Sequence, residues 1–238
     1  MNPLKKSLNK IFFVGIGGSG MSGLAEVLLN LGYEVGGSDM TESSITKRLQ
    51  SLGIEIVFDH RSENIEGVDM LVKSSAIKDK NPELVSAMKQ NIPVLERAEL
   101  LSSLMIMKRG IAIAGTHGKT TTTSLLASIM TEAMLDPTFI NGGVITSFAT
   151  NAKLGTGDYL IAEADESDKS FLKLQPSLEI ITNIDSDHLL NYGNNFQNLE
   201  EAFIKFVKKL PFDGLLVACG DDPIIRKLTP AFSRKTIL

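Results

Sequence analysis

The feature that most constrains the fold is a short glycine-bearing loop between a strand-like run and a helix-like run. Residues 111–114 read IAIA, residues 115–120 read GTHGKT, and a helical pattern follows over 120–133. Glycines let the backbone curl so that successive N–H groups face phosphate oxygens, and the N-terminus of the next helix adds partial positive charge. The segment therefore predicts a phosphate-binding loop at the end of a strand in an α/β sheet.

Two side chains of this loop predict a nucleoside triphosphate bound with magnesium. Lys119 is placed to reach the β- and γ-phosphates, and the Thr120 hydroxyl is placed to ligate Mg²⁺. The spacing is a variant, because the pattern G-x-x-x-x-G-K-[ST] requires glycine at the position of Ile113. A chance GKT in a surface turn is the alternative, and the flanking strand and helix argue against it.

Strand-like and helix-like runs alternate at short spacing along the chain, which predicts parallel sheets covered by helices. The predicted strands include 11–14, 33–37, 54–58, 70–73, 92–95, 110–114, 159–162, 179–183 and 215–218. The strand–loop–helix pattern restarts near Lys108. We therefore expect an α/β protein with a Rossmann-like parallel-sheet domain at 1–107 and a P-loop NTPase-like central domain at 108–238. The second domain reaches Leu238 without a closing element, so we expect it to be truncated.

Composition narrows the classes of partner. The formal net charge of -4 gives no support for a nucleic-acid or acidic-membrane surface. No apolar run approaches the length of a membrane span. Cys219 is the single cysteine, which excludes a disulfide framework, favours a buried small hydrophobe, and is consistent with a reducing cytoplasm.

Acidic residues follow two of the predicted strands, at the carboxyl ends where ligand sites of parallel sheets lie. After YLIA at 159–162 come four carboxylates that can hold magnesium directly or through water: Glu163, Asp165, Glu166 and Asp168. After EIIT at 179–182 comes a second group: Asn183, Asp185, Asp187 and His188. Alone, the first string is typical of a solvated loop, and a lone histidine such as His188 is typical of a satisfied surface or core group. Beside a phosphate loop, we expect the first group at the metal and His188 at metal or phosphate.

A second glycine motif lies near the N-terminus. Gly15, Gly17 and Gly20 form G-x-G-x-x-G between a predicted strand and a helix, and Asp39 follows the next strand. This spacing specifies a diphosphate at a helix N-terminus and a carboxylate near a ribose or base. NAD and a UDP-sugar both satisfy it, and the motif alone favours NAD.

Seven stretches, taken together, make the chain similar to the Mur ligases of peptidoglycan synthesis. They run in the family's order and cover almost the whole chain, at 15–39, 73–84, 96–105, 111–127, 140–144, 159–176 and 182–193. GTHGKTTTT and EADESDKSF are the most specific of these strings. The resemblance is strongest to members that join L-alanine to the carboxylate of UDP-N-acetylmuramate.

The resemblance implies positions for both ligands. The first glycine loop would hold UDP of the sugar substrate rather than a dinucleotide, through Gly17, Gly18, Ser19 and Gly20, with Asp39, His60, Ser74 and Ser75 near the uridine. The second loop would bind ATP through Gly115, Thr116, His117, Gly118, Lys119, Thr120 and Thr121. Thr120, Glu163 and His188 match the family's Mg²⁺ contacts, and Lys119 and His188 would assist the reaction.

The implied reaction is cytoplasmic amide formation through an acyl phosphate. The muramoyl carboxylate attacks the γ-phosphorus of ATP, and the amine of L-alanine then displaces phosphate. Family members carry a further C-terminal domain, so the resemblance implies that residues 1–238 alone have little or no activity. Leu190 departs from the family pattern, and the bridging carbamylated lysine of several members has no clear counterpart, since Phe203 falls near its position and Lys205 is a weak candidate.

Three other functions stay open at this stage. A recycling ligase that joins a murein tripeptide to the same sugar shares both loops. An NAD-dependent oxidoreductase fits the first glycine motif but leaves GTHGKTTTT unexplained. A nucleotide-binding module without catalysis is the third.

Overall fold

The computed structural model describes residues 8–187 and 189–238. The chain divides into two compact units, the first comprising residues 1–100 with 151–154 and the second comprising residues 101–150 and 155–238. The expected division at 107/108 stays a prediction. None of the helices in the described ranges is long and apolar enough to cross a membrane.

The first unit contains a five-stranded sheet whose strands are all parallel to their neighbours, in the order β3-β2-β1-β4-β5. Its strands are β1 (Lys10–Val14), β2 (Glu34–Ser38), β3 (Glu55–Val57), β4 (Met70–Lys73) and β5 (Val94–Glu96). The helices between them are α1 (Ser19–Asn30), α2 (Ser44–Ser51) and α3 (Pro82–Lys89). This order has its switch point between β1 and β4, where sheets of this type bind ligands.

Apolar runs explain why these segments pair. Phe12, Val14 and Leu71 on the two central strands are buried against Ile65 and Leu84, so one face of the sheet packs on α3. The central strands β1 and β4 are buried along most of their length, as their near-continuous apolar runs predict.

The second unit contains a seven-stranded sheet in the order β12-β11-β10-β6-β9-β7-β8. Its strands are β6 (Arg109–Ala114), β7 (Thr138–Ile145), β8 (Thr150–Lys153), β9 (Tyr159–Glu163), β10 (Leu178–Ile181), β11 (Leu215–Ala218) and β12 (Lys235–Ile237). The helices are α4 (Arg97–Met107), which crosses from one unit to the other along the chain, α5 (Lys119–Glu132), α6 (Phe196–Val207) and α7 (Pro223–Leu228). From β7 to β12, each of the pairs β7–β9, β9–β6, β6–β10, β10–β11 and β11–β12 is parallel.

The core of this unit holds β6 at its centre. Ile111 and Ile113 pack with Phe139, Ile161 and Met130, which places α5 against one face of the sheet. Because β6, β9 and β10 are parallel, their carboxyl ends meet at one edge. The phosphate loop and both acidic strings therefore begin at the same edge.

The structure departs from the sequence expectations at several places. Helix α1 begins at Ser19, inside the glycine motif, and β10 ends at Ile181 rather than at residue 183. Cys219 is exposed, so the expectation of a buried thiol was wrong. Strand β7 was not predicted, because two glycines and an asparagine interrupt its apolar pattern.

Candidate functional site

The loop between β6 and α5 has a backbone conformation that favours glycine at two positions. Gly115 has φ +132°, and a Cβ there would lie 2.1 Å from Thr182 Oγ1. Gly118 has φ +80° and caps the N-terminus of α5, where a Cβ would meet open space. Gly115 is therefore required by close packing, and Gly118 by its left-handed conformation.

Residues that follow β10 hold this loop in shape. The N–H groups of Thr116 and His117 donate to the backbone and side-chain oxygens of Asn183, at 3.1 and 2.9 Å. The Thr182 hydroxyl donates to the His117 carbonyl at 2.7 Å, and the N–H of Asp185 donates to the Thr116 hydroxyl at 2.8 Å. Asn183, expected among the ligand groups, thus braces the loop.

Lys119 is turned back toward its own loop. Its Nζ donates to the Gly115 carbonyl at 2.6 Å, to the Thr116 carbonyl at 3.3 Å and to Glu166 Oε2 at 2.7 Å. The Glu166 side chain is 1% exposed, and burial raises its pKa while the Lys119 ammonium opposes that rise. The Tyr192 hydroxyl fixes the same segment by donating to the Glu166 carbonyl at 2.5 Å. Glu166 is thus the counter-ion of the loop lysine.

Glu163 and Thr120 both lie against the glycine pair of β7. A Cβ on Gly142 would be 2.6 Å from Glu163 Oε2, and a Cβ on Gly143 would be 3.3 Å from Thr120 Cγ2. Glu163 Oε1 is buried without a hydrogen-bond partner. A buried, unpartnered carboxylate oxygen at the carboxyl end of β9 fits a hard cation. Over residues 8–187 and 189–238, no three His, Cys, Asp or Glu side chains gather as a complete metal-binding group.

The other two carboxylates of the first acidic string stabilise turns. Asp165 Oδ1 accepts hydrogen bonds from the N–H and hydroxyl of Ser167, at 2.9 and 2.7 Å. Asp168 Oδ1 accepts from the N–H of Ser170 at 2.8 Å. Two of the four carboxylates expected at the metal lie near the phosphate loop or β7. Glu163 lies against Gly142 of β7, and Glu166 bonds to Lys119.

The second acidic string is only partly described. Asp187 Oδ2 lies 3.3 Å from His117 Nε2 at the exposed rim of the loop, and Asp185 Oδ1 accepts from the N–H of Ser186. His188, expected as a metal and catalytic group, lies outside the described residues. Thr121 is exposed on the first turn of α5.

The structure supports neither Phe203 nor Lys205 as the position of a carbamylated lysine. Phe203 is fully buried and stacks edge-on against Phe171, with ring centroids 5.4 Å apart. Lys205 is exposed on α6 and pairs with Glu201 at 3.8 Å. Leu190, the departure from the family pattern, is 84% exposed.

In the first unit, the glycine motif joins β1 to α1. Gly15 has φ +81°, and a Cβ there would lie 3.3 Å from Ser74 Cβ. The N–H of Gly17 donates to Asp39 Oδ2 at 2.8 Å, and Asp39 Oδ1 accepts from the N–H of Met40 at 2.8 Å and of Thr41 at 3.3 Å. Asp39 therefore braces the glycine loop through Oδ2 and its own turn through Oδ1. Ser75, expected near the uridine, is exposed just beyond β4.

The start of α1 is open to an anion. Gly18 precedes the helix without any side-chain cap, and the helix begins at Ser19. A Cβ on Gly20 would lie 3.0 Å from Arg97 Nη1, which brings a guanidinium to the first turn. Backbone N–H groups, the helix dipole and a guanidinium together suit a diphosphate. Arg97 was missed from the sequence, because its charge approaches the loop only through the fold.

His60 belongs to a buried polar network at the carboxyl end of β2. Its Nδ1 lies 2.8 Å from Glu83 Oε2 and 3.1 Å from the Ser38 hydroxyl. The Ser38 hydroxyl donates to Glu83 Oε2 at 2.9 Å, and the Asn64 amide donates to Glu83 Oε1 at 2.9 Å. Glu83 is fully buried. Ser38, Asn64 and Glu83 carry no motif, and the sequence alone gives no signal for them.

Comparison with known proteins identifies the class that these two loops define. Residues 10–109 match the profile of the Mur ligase family, catalytic domain, and residues 113–237 match the Mur ligase middle domain. The chain belongs to the Mur ligase family, which uses ATP.

Among its relatives, the UDP-N-acetylmuramate–L-alanine ligase of Janthinobacterium sp. (strain Marseille) is 54% identical over 231 residues, 97% of this chain and 50% of that protein. The crystal structure of UDP-N-acetylmuramate-alanine ligase MurC from Thermotoga maritima is 36% identical with a TM-score of 0.84, over 92% of this chain and 51% of that one. UDP-N-acetylmuramate:L-alanyl-gamma-D-glutamyl-meso-diaminopimelate ligase from Neisseria meningitides is 25% identical with a TM-score of 0.88, over 96% and 77%. The chain thus spans about half the length of the curated relative.

Proposed function

We propose that the protein takes part in the ATP-dependent joining of L-alanine to UDP-N-acetylmuramate, in the cytoplasmic synthesis of peptidoglycan precursors. The single observation that carries the proposal is the 54% identity over 97% of the chain to a ligase of that specificity. The two glycine loops, one in each unit, supply a place for each nucleotide.

The second unit would bind ATP along the loop 115–121. The N–H groups at the start of α5 and the Lys119 ammonium face the region where phosphates of such loops lie. Lys119 would exchange its bonds to loop carbonyls and Glu166 for phosphate oxygens. The buried, unpartnered oxygen of Glu163 supports a divalent cation shared with the Thr120 hydroxyl. His188 completes this proposed set by resemblance.

The first unit would bind the UDP-sugar. The diphosphate would lie on the N–H groups of residues 19 and 20 at the start of α1 with the Arg97 guanidinium beside it, because the N–H groups of Gly17 and Gly18 bond to Asp39 and to the Gly15 carbonyl. Because both Asp39 oxygens are held by backbone N–H groups, we assign this residue to shaping the loop. Ser74 borders the same loop, and Ser75 lies one residue further on.

The chain's own groups would act mainly by position and charge. The muramoyl carboxylate attacks the γ-phosphorus of ATP, ADP leaves, and the alanine amine then attacks the acyl carbon so that phosphate leaves. Lys119 stabilises charge that develops on the transferred phosphoryl group. A bound Mg²⁺ would supply further neutralisation of the phosphates.

The comparisons support the alanine ligase better than either of the competing functions. The tripeptide ligase has a relative with a TM-score of 0.88, but that relative is 25% identical, against 54% for the alanine ligase. The oxidoreductase is disfavoured because the chain belongs to a ligase family.

Calorimetry on the purified chain tests the two sites separately. We expect ATP with Mg²⁺ and UDP-N-acetylmuramate each to bind. Lys119→Ala should weaken ATP at least about 100-fold, as expected from charge-assisted bonds of about 1.5–3 kcal/mol each, and should leave UDP-N-acetylmuramate unchanged. Lys205→Ala, an exposed lysine of the same unit, is the control. Undiminished ATP binding by Lys119→Ala would refute the assignment of the loop.

A phosphate-release assay tests the reaction. With ATP and UDP-N-acetylmuramate present, L-alanine and the murein tripeptide are compared as acceptors, on residues 1–238 and on the longest product of the gene. We expect release with L-alanine from the longest product and little or none from residues 1–238. Preference for the tripeptide would replace the proposed acceptor.

A further inference from the structure

The buried network around Glu83 lies beside the glycine loop of the first unit. The Ser38 carbonyl accepts from the N–H groups of Gly15 and Ile16, at 2.8 and 3.0 Å, while the Ser38 hydroxyl contacts His60 and Glu83. Ser38 therefore joins the start of the glycine loop to the imidazole. The network lies at the carboxyl end of β2, the edge at which ligands of such sheets bind.

The contacts of His60 indicate a proton on Nδ1. Glu83 accepts from the Ser38 hydroxyl and the Asn64 amide, as expected of an acceptor-only carboxylate. The Ser38 proton is committed to Glu83, so both neighbours of His60 Nδ1 can only accept there. Nδ1 must then be the donor, with its shorter bond of 2.8 Å to Glu83 Oε2.

The opposite nitrogen is left for a ligand. No group in the described part of the chain bonds to His60 Nε2, and the side chain is 15% exposed. In the neutral ring with Nδ1 protonated, Nε2 is an acceptor. Asp39, the usual ribose acceptor after this strand, already accepts from three backbone N–H groups. The imidazole nitrogen Nε2 is a second acceptor at this edge.

We propose that Glu83 is a positioning residue that holds His60 in the Nδ1–H form, so that Nε2 accepts a hydrogen bond from the nucleoside of the UDP-sugar. This inference rests on the proposed function of the first unit. The donors of uridine are its imide N–H and its ribose hydroxyls, and either chemistry suits a neutral imidazole nitrogen. Glu83 itself is fully buried and touches no ligand.

Nitrogen NMR of the histidine rings tests the tautomer directly. The chain has three histidines, and His60→Gln identifies the signals of His60 by their loss. We expect Nδ1 protonated and Nε2 unprotonated in the free chain, with the Nε2 resonance moving when UDP is added. A free chain with Nε2 protonated would overturn the proposal.

Binding of UDP measured by calorimetry tests the positioning role. Glu83→Gln places an amide N–H against one of the three groups that donate to Glu83, namely Ser38, His60 and Asn64. Because the tautomer of His60 is then no longer fixed, we expect about tenfold weaker UDP binding. Glu83→Asp keeps the charge but draws the carboxylate away from Nδ1, and should weaken binding similarly. Glu26→Gln, another buried carboxylate of this unit that pairs with Arg48, controls for general destabilisation.

A double-mutant cycle separates positioning from mere structure. Because Glu83 acts through His60, the Glu83→Gln effect should vanish in a His60→Gln background. An effect of equal size in both backgrounds, or wild-type UDP binding by both Glu83 variants, would overturn the proposal. UDP lacking the 2′-hydroxyl and UDP methylated at the imide nitrogen show which donor is read, since only that analogue should lose sensitivity to His60.

UDP binding by the wild-type chain distinguishes failure of the proposed UDP site from failure of the proposed role of Glu83. If the wild-type chain binds neither UDP nor UDP-N-acetylmuramate, the proposed function of the unit and the role of Glu83 both fall. If the wild-type chain binds them and the Glu83 and His60 variants bind equally well, the role of Glu83 alone falls.

Discussion

Glu179 gives the sharpest test of the electrostatics in the second unit. It lies in the middle of β10, between Ala112 of β6 and Leu216 of β11, and is fully buried. Both carboxyl oxygens lack hydrogen-bond partners. Burial raises the pKa of Glu179 to about 9, and the guanidinium of Arg234 offsets this only in part. The folded protein therefore holds this group protonated at neutral pH.

The direction and size of the pH effect on the free energy of unfolding follow from the difference between the folded and the ordinary pKa of Glu179. The folded pKa of about 9 lies above the ordinary value of 4.5, so the folded state binds the proton more tightly. The resulting stability is fully present below pH 4.5 and is lost as pH rises to about 9. Between these limits the free energy of unfolding falls by about 1.4 kcal/mol per pH unit. At pH 7 the loss is about 3 kcal/mol.

Glu179→Gln removes the titrating group at nearly constant shape. We expect the free energy of unfolding of the variant, minus that of the wild type, to be about 3 kcal/mol higher at pH 7 than at pH 4.5. At pH 8.5 the corresponding increase should be about 5 kcal/mol. Comparing the two proteins cancels other groups that titrate over the same range.

Urea unfolding followed by tyrosine fluorescence measures this difference. The chain has no tryptophan and three tyrosines, so a Tyr33→Phe background leaves Tyr159 and Tyr192 as reporters of the second unit. Glu201→Gln, an exposed carboxylate on α6, is the control and should follow the wild-type pH curve. Parallel pH curves for wild type and Glu179→Gln would refute the reasoning.

Further predictions concern the two loops and the core. Gly115→Ala should lose ATP binding and at least about 2 kcal/mol of stability by calorimetry and urea unfolding, because its methyl group meets Thr182; wild-type affinity would contradict this. Asp39→Ala should weaken UDP about tenfold while ATP binding stays unchanged, since the brace on the first loop is lost; equal loss of both ligands would argue against a local role. Glu163→Gln should raise the Mg²⁺ concentration needed for ATP binding about tenfold, and an unchanged Mg²⁺ titration would remove Glu163 from the cation site. Phe203→Ala should destabilise the second unit by about 3–5 kcal/mol in the tyrosine-monitored assay; less than 1 kcal/mol would indicate that the cavity collapses.

The features predicted correctly from the sequence are those that depend on residue spacing over a few neighbouring positions. The glycine loop between β6 and α5, the glycine motif between β1 and α1, and the parallel α/β class all follow from spacing within a few residues. Glycines of such loops can be recognised in the sequence because the backbone conformation and the close packing require glycine there, as at Gly115.

The features that were missed depend on residues brought together by the fold. Glu83 and Ser38 are 45 residues apart in sequence, and nothing in their neighbourhoods indicates that they share a network. The predicted end of β10 was wrong for a related reason, since the side chains of Thr182 and Asn183 bond to the His117 carbonyl of the phosphate loop. The four carboxylates of EADESD look equivalent in sequence, yet Asp165 and Asp168 are committed to turns.

The bracing of the phosphate loop by Thr182 and Asn183 has a consequence for how this nucleotide site can be transplanted. The loop and its brace are 65 residues apart along the chain, so a peptide cut to the recognisable motif would lack the partners of His117. A portable ATP-binding module must therefore run from β6 at least to Asp185, carrying β7 and β9 with it. The same separation makes the intervening chain a rational place to divide the unit into two halves, whose reassembly would restore nucleotide binding and could report on association.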